Sequence, residues 1–445
     1  MKKIFFALSL LLCFSNTSNA QQTVGLFLND QNAFNGYTLV SPDYYTSTYL
    51  IDNCGNVVNE WASSLTPGLT SILLENGNLL RAARTNTSTF GAGGTGGKIE
   101  ILDWNSTVVW EYEYSSSDFH QHHDVQYMPN GNILILAWEK INLSDVLAEG
   151  RNPNTIANEF WSEKIVELQP IGADSASVVW EWRVWDHLIQ DFDSAKNNYG
   201  VVSDHPELLD LNFVIPGAPG PGSGLTDWLH CNSIDYNEDL DQILISCHNF
   251  SELWVIDHST TTAEAASHSG GNSGKGGDIL YRWGNPQAYD RGTANDQILY
   301  LQHDARWIDK GLPDEDKIMI YNNGLGRPAG AFSSIEVIEC PVDSQGNYLN
   351  PGLNAYAPAQ AYWNYTAPNP TDFYSPNVSG SQRLANGNTL ITEGASGHIF
   401  EVDSAGTLVW DYINPVSTTG PVQQGGIPVI NELFKATRYA PDYAG

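Results

Sequence analysis

The sequence predicts an all-β chain, a six-bladed β-propeller of four-stranded antiparallel blades, and three observations carry that expectation. A short strand ending in alternating aromatics recurs six times. An Asn-Gly pair recurs at one fixed place within several of these units. A lone strand late in the chain, Leu433 to Tyr439, matches a first unit that lacks its innermost strand.

The recurring strand has two apolar residues, an aromatic or Asn, a polar residue and an aromatic. It reads Val57-Val58-Asn59-Glu60-Trp61, Val108-Val109-Trp110-Glu111-Tyr112 and Val178-Val179-Trp180-Glu181-Trp182. It returns as Ile279-Leu280-Tyr281-Arg282-Trp283, Ala361-Tyr362-Trp363-Asn364-Tyr365 and Leu408-Val409-Trp410-Asp411-Tyr412. β-Branched and aromatic residues with period-two alternation fit a pleated, half-buried surface. The last unit is the most compact. Ser381 to Leu384 is its first strand, and Asn386-Gly387 turns it into Thr389 to Thr392. Ile399 to Val402 follows, and Ala405-Gly406 turns into Leu408 to Tyr412. Four antiparallel strands roughly every 40 residues make a propeller blade.

Earlier units show the same order. Asn76-Gly77 and Asn130-Gly131 mark the first hairpin, and Lys98 to Ile101 and Lys164 to Glu167 match the third strand. Asn142 to Phe160 and Asp186 to Thr226 are the longest insertions, expected over one face of the ring, with helical turns near Ser203 to Leu209. The first unit has Tyr37 to Val40, Tyr49 to Asp52 and Val57 to Trp61 but no inner strand. Leu433 to Tyr439 supplies it, closing the ring and removing open sheet edges. The repeat aromatics are expected to pack between blades.

Residues 1–20 read as a secretory leader: basic Met1-Lys2-Lys3, apolar Ile4 to Phe14, and small Ala20 before Gln21. No later segment reaches the roughly 18 apolar residues of a membrane span. The expectation is an exported protein, periplasmic or secreted, with residues 21–445 forming one propeller domain and no membrane insertion. Asp and Glu number 51 against 20 Lys and Arg, a net charge of −31. That excludes the basic face a nucleic-acid partner requires. Cys54, Cys231, Cys247 and Cys340 follow the leader without a CxxC pair, which argues against a zinc ribbon.

Propeller function gathers where inner strands meet the central channel. The inner strands begin near Ser71, His123, His230, His303 and Gln382, so three successive blades place a histidine in register. Centring the turn of Asn237 to Asp241 on Asp239 sets His230 opposite His248, on one face of the ladder. The same pairing sets Cys231 opposite Cys247 on the other face, where a disulfide is possible. Asp124 and Asp304 neighbour two of the histidines, but strand alternation points them away. Four channel imidazoles suit three chemistries: an oxyanion held by charge-assisted hydrogen bonds, a nucleophile or base near neutral pH, or a zinc, copper, manganese or nickel ion.

At these residues the chain resembles the bacterial arylsulfate sulfotransferase family. The resemblance rests on His122-His123-Asp124 before Met128-Pro129-Asn130-Gly131-Asn132, and on Asp227-Trp228-Leu229-His230-Cys231-Asn232-Ser233. It continues through Gln302-His303-Asp304-Ala305, Gln382 to Ile391, and Arg438-Tyr439-Ala440-Pro441-Asp442-Tyr443. It implies a six-bladed propeller that moves a sulfuryl group from an aryl sulfate to a phenol through a sulfohistidine, with no nucleotide sulfate donor and no cofactor. By resemblance His303 is the nucleophile, and His230 and His123 bind the sulfuryl group and transfer protons. The family's active-site arginine falls at His248, and an imidazole is charged only part of the time. Two other readings of the same histidines stand beside this one: a metal-dependent hydrolase or lyase, and a non-catalytic ligand-binding propeller. Trp138 and Trp228 are candidates for stacking on an aryl group or for core. The Gly-rich segments 217–224 and 267–277 are candidate lids or plain loops.

Overall fold

The computed structural model describes residues 22–87, 89–214 and 225–445. The expected leader at 1–20 and the loop at 217–224 lie outside the described residues. Six four-stranded antiparallel sheets are arranged as blades of a propeller. Blade 1 runs outward from Leu433–Tyr439 through Tyr37–Pro42 and Ser47–Asp52 to Val57–Ala62. Blade 2 holds Pro67–Leu73, Leu79–Arg84, Gly97–Leu102 and Val108–Glu113. Blade 3 holds Phe119–Tyr127, Ile133–Ile141, Phe160–Ile171 and Ser175–Arg183. Blade 4 holds Cys231–Asn237, Gln242–Cys247, Glu252–Asp257 and Tyr281–Trp283. Blade 5 holds His303–Trp307, Ile318–Asn322, Ser334–Ile338 and Trp363–Tyr365. Blade 6 holds Gly380–Arg383, Thr389–Glu393, His398–Val402 and Leu408–Ile413.

The Asn-Gly pairs shape the hairpins as the sequence requires. Gly77, Gly131 and Gly387 take φ of 82°, 85° and 88°, a conformation that costs only glycine nothing. The preceding Asn Oδ1 accepts the backbone N–H two residues on, at 2.9–3.1 Å, in all three turns. The outer-strand repeat has a specific task at its third position, where each residue reaches the next blade. Trp110 donates its indole N–H to Ser175 O at 2.9 Å, Trp180 to Thr260 Oγ1 at 3.1 Å, and Trp410 to Asn53 O at 2.9 Å. Asn59 and Tyr281 take the Trp place in their blades and make the same kind of bond, to Trp104 O and Ala357 O. Trp363 stacks beneath the Arg383 guanidinium of blade 6 instead. The Asn tolerated by the repeat is therefore a substitute donor.

One strand was not foreseen. Gly25–Asn29 pairs with Leu408–Ile413 as a fifth strand on blade 6. It buries Val409 to 2% exposure, whereas the matching Val58, Val109 and Val179 remain 42–45% exposed. The two long insertions pack on one another, Asn152 N–H donating to Asn212 Oδ1 at 2.7 Å, and within the second Leu188–Ile189 pairs in parallel with Leu209–Asp210. They contain a helix at Leu143–Ala148 and a helical turn at Val202–Asp204.

Ring closure follows the expected pairing, with Tyr37 opposite Tyr439 and Val40 opposite Ala436. A buried latch holds it. The Arg438 guanidinium pairs with Glu401 of blade 6, both side chains fully buried, and donates from Nε to Thr38 Oγ1 at 2.9 Å. It lies 4.3 Å from the centre of the Trp410 ring. Removing one partner of a buried ion pair strands the other charge out of water, at a cost of about 3–5 kcal/mol. Arg438→Ala is expected to destabilise the fold by that amount, read as a drop in the urea midpoint. Lys98→Ala, which breaks an ion pair to the exposed Glu111, should cost less than about 1 kcal/mol.

Candidate active site

The channel histidines converge. His123 lies within Phe119–Tyr127, His230 immediately precedes Cys231–Asn237, and His303 opens His303–Trp307. His248 follows Gln242–Cys247. Their ring centres form a chain: His123 to His230 at 4.6 Å, His230 to His248 at 5.2 Å, and His248 to His303 at 5.4 Å. The four residues are each 3–4% exposed. His123 and His230 both take φ of +52°. This left-handed backbone is unfavourable for a residue with a Cβ and collects at functional sites.

The hairpin that pairs His230 with His248 differs in detail from the sequence expectation. Ile234 faces Ile245 and Tyr236 faces Ile243, one residue out of the expected register. A bulge between Cys231 and Ser233 restores Cys231 opposite Cys247, and His248 N–H donates to His230 O at 3.3 Å. Cys231 and Cys247 are free, buried thiols, and burial pushes Cys231 well above its ordinary range. Asp124 and Asp304 point away from the imidazoles to Lys435, whose Nζ lies 2.9 Å from Asp124 Oδ2 and 3.3 Å from Asp304 Oδ1. Trp138 and Trp228 are buried. Trp138 stacks on His122 at 4.0 Å, and Trp228 packs against Phe160 and Phe250.

The sequence did not reveal what holds the rings. His303 Nδ1 meets Asn323 Oδ1 at 2.8 Å. The Asn323 amide donates to Ser375 O and Ser379 Oγ, so its oxygen faces the ring. His230 Nδ1 meets Asp227 Oδ2 at 2.5 Å, and His248 Nδ1 meets Asn249 Oδ1 at 2.9 Å. Each partner atom is an acceptor, so each Nδ1 carries a proton, and on His248 and His303, where burial disfavours the charged ring, Nε2 keeps its lone pair. No described residue hydrogen-bonds those three Nε2 atoms. His123 Nδ1 instead meets His122 Nδ1 at 2.8 Å, and His122 Nε2 meets Glu163 Oε2 at 2.8 Å. Glu163 Oε1 accepts the Cys231 N–H at 2.9 Å. Of these partners only Asp227 and His122 lie in motifs the sequence singled out. Asn249 and Asn323 share a place just past the second strand of their blades, a signal visible only once the strands are aligned.

Burial governs the charge state. It holds His123 and His248 well below the ordinary histidine range, and the neighbouring His230 ring adds to the effect. It lowers His303 to about 4 against the raising effect of Asn323. Burial, then the Asp227 charge, pushes Glu163 well above the usual carboxylate range. Two further contacts shape the pocket. Phe434 of the closing strand lies 6.1 Å from His123 and 6.3 Å from His303. Gly94, at φ +82°, gives its carbonyl to His123 N–H at 2.7 Å, and a Cβ there would sit 2.0 Å from the His123 ring. The arrangement offers nucleophilic or basic nitrogens in a nearly dry layer. Among the described residues, no three channel histidines bring ligand nitrogens within 4.8 Å of one another, as a compact metal site requires.

The arylsulfotransferase (ASST) family model matches residues 16–419, and the chain belongs to that family. No curated protein matches it. Similar solved structures include a protein of unknown function from Bacteroides caccae (TM-score 0.44, 10% identity, 85% of this chain and 94% of that chain). Another is virginiamycin B lyase from Staphylococcus aureus (TM-score 0.40, 11% identity, 90% and 87%). A third is a putative 6-phosphogluconolactonase from Bacteroides fragilis (TM-score 0.39, 12% identity, 92% and 99%). Likenesses this remote do not bear on what the chain binds. Among the described residues no helix is long and apolar enough to cross a membrane.

Histidine-selective 15N spectra are expected to place His248 and His303 in the Nδ1–H form. Asn323→Ala should return His303 to the Nε2–H form, and an unchanged spectrum would contradict the assignment.

Proposed function

We propose that the chain transfers a sulfuryl group between phenols through a sulfohistidine on His303 Nε2, with no nucleotide donor. The observation that carries this is the anchoring of His303. Its Nδ1–H is fixed by Asn323, its lone pair is free on the far side of the ring, and burial keeps it unprotonated at neutral pH. The His303 lone pair attacks sulfur, the S–O bond to the aryl group breaks, and the electron pair leaves on the phenolate oxygen. As in phosphoryl transfer, the transition state is loose, and catalysis comes from positioning and charge neutralisation. His230 is placed to bind the sulfuryl group, its Nδ1–H anchored on Asp227 behind it and its Nε2 facing the sulfuryl oxygens. His248 adds a further N–H only when protonated, a weaker clamp than a guanidinium.

Protons move through the row from Glu163 through His122 to His123. With Glu163 protonated, its O–H points to His122 Nε2, His122 Nδ1–H points to His123 Nδ1, and His123 Nε2–H faces the channel. This state gives the leaving phenolate its proton. Each hydrogen in the row then shifts one place and Glu163 is left ionised. In the second half-reaction the acceptor phenol attacks sulfur, the S–N bond breaks, and the pair returns to His303 Nε2. The phenol proton enters at His123 Nε2 and the row resets. The raised Glu163 suits the proton-loaded resting state. We further propose that residues 1–20 direct export, to the periplasm or beyond, and that residues 21–445 act as one domain on small aryl sulfates and phenols.

The decisive assay mixes the protein with an aryl sulfate and a phenol. Transfer is expected, undiminished by chelator, and His303→Ala should abolish it. Absence of transfer in the unaltered protein, or its survival in His303→Ala, would sink the reading. Protonation of His303 removes the nucleophile, so kcat/KM should hold through neutral pH and fall as pH drops through about 4. Glu163→Gln keeps a hydrogen-bonding group but cannot gain or lose the proton. It should lower transfer from donors with basic phenolates by about 100-fold. Nitrophenyl sulfate, whose leaving group needs no proton, should be far less affected.

A further inference from the structure

Outside the channel, two further histidines converge on one carboxylate oxygen. His187 follows the outer strand of blade 3 and is fully buried, its ring stacked 5.7 Å from Trp182. His268 and Asp278 lie in the long connection between the third and fourth strands of blade 4. Ligand atoms from the three residues lie within 4.8 Å of one another.

The protons on His187 decide what the cluster needs. His187 Nε2 is 2.8 Å from the Ala265 carbonyl oxygen. A carbonyl only accepts, so Nε2 carries the hydrogen. His187 Nδ1 is then the nitrogen left to serve a ligand, and it lies 2.9 Å from Asp278 Oδ1. His268 Nδ1 approaches the same oxygen at 2.7 Å. Two imidazole nitrogens and a carboxylate oxygen thus converge on one point, the donor set of a cation site. An N–H anchored on a carbonyl is how a metal-ligating histidine is held through its other nitrogen. The backbone makes room for this: a Cβ on Gly277 would come 2.6 Å from His187 Nε2. Trp182 fixes the same loop by donating to Gly277 O at 2.7 Å.

We propose that His187 Nδ1, His268 Nδ1 and an Asp278 carboxylate oxygen bind one divalent transition-metal ion of the zinc class. Two imidazoles and a carboxylate are ligands of that class, and they leave one position for water. His268 is 62% exposed, and a cleft of about 650 Å³ lined by Glu207, Lys275 and Asp278 provides an entry path. Bonds of about 2.0–2.2 Å require the ligand atoms to spread to about 3.3 Å, a movement the exposed His268 can absorb. The ion would tie the blade 4 connection to blade 3, away from the sulfuryl-transfer site.

The test uses the full chain, stripped by chelator and then given zinc or cobalt(II) alone. One ion per chain is expected after desalting, with visible cobalt bands of a four-coordinate site and a raised melting temperature. His268→Ala and Asp278→Asn should each weaken binding at least about tenfold. His268→Ala should leave sulfuryl transfer unchanged, and His303→Ala should leave the metal stoichiometry unchanged. No retained ion, equal affinity in His268→Ala, or loss of the ion in His303→Ala would each overturn the proposal.

Discussion

The structure depends on one pairing, between Leu433–Tyr439 and Tyr37–Pro42. Inner strands touch their neighbours around the whole ring, so the centre has a defined shape only when the last gap is filled. The closing strand also brings in side chains. Lys435 meets Asp124 and Asp304, two carboxylates whose burial without a partner would be costly. Phe434, next to it, stands between His123 and His303. Closure therefore sets a paired-charge layer and an imidazole layer beside each other at the axis.

In the proposed reaction that separation lets a site without a guanidinium handle an anion. Burial and mutual repulsion disfavour charge on His123, His248 and His303. Carboxyl groups stand one shell behind the imidazoles, Asp227 on His230 and Glu163 through His122. Under the proposed reaction those carboxyl groups orient and balance the rings, where an arginine would carry its charge in every state.

The fold was largely legible because its signals are local. A five-residue strand and an Asn-Gly turn each encode their geometry within a few positions, and the inner strands carry three histidines in register. What the sequence concealed depends on contacts between distant segments. Glu163 reaches the histidines from the third strand of blade 3 and Asn323 from just past the second strand of blade 5, and no spacing announces them. The bulge at Cys231 and Ser233 is set by packing, so arithmetic on the turn placed the rest of that hairpin one residue out of register. Gly25–Asn29 has no partner of its own repeat and is legible only against the edge it covers. His187 and Asp278 are 91 positions apart and meet only because blades 3 and 4 are neighbours.

The closing bond between Thr38 and Arg438 spans 400 positions of chain. Synthesis proceeds from the N-terminus, so every histidine of the channel is made before Phe434 and Lys435. Until those last residues emerge, the four imidazoles border a gap open to water, and Asp124 and Asp304 lack their shared cation. A chain truncated before Leu433 would keep the four imidazoles yet lack the Phe434 wall beside His123 and His303.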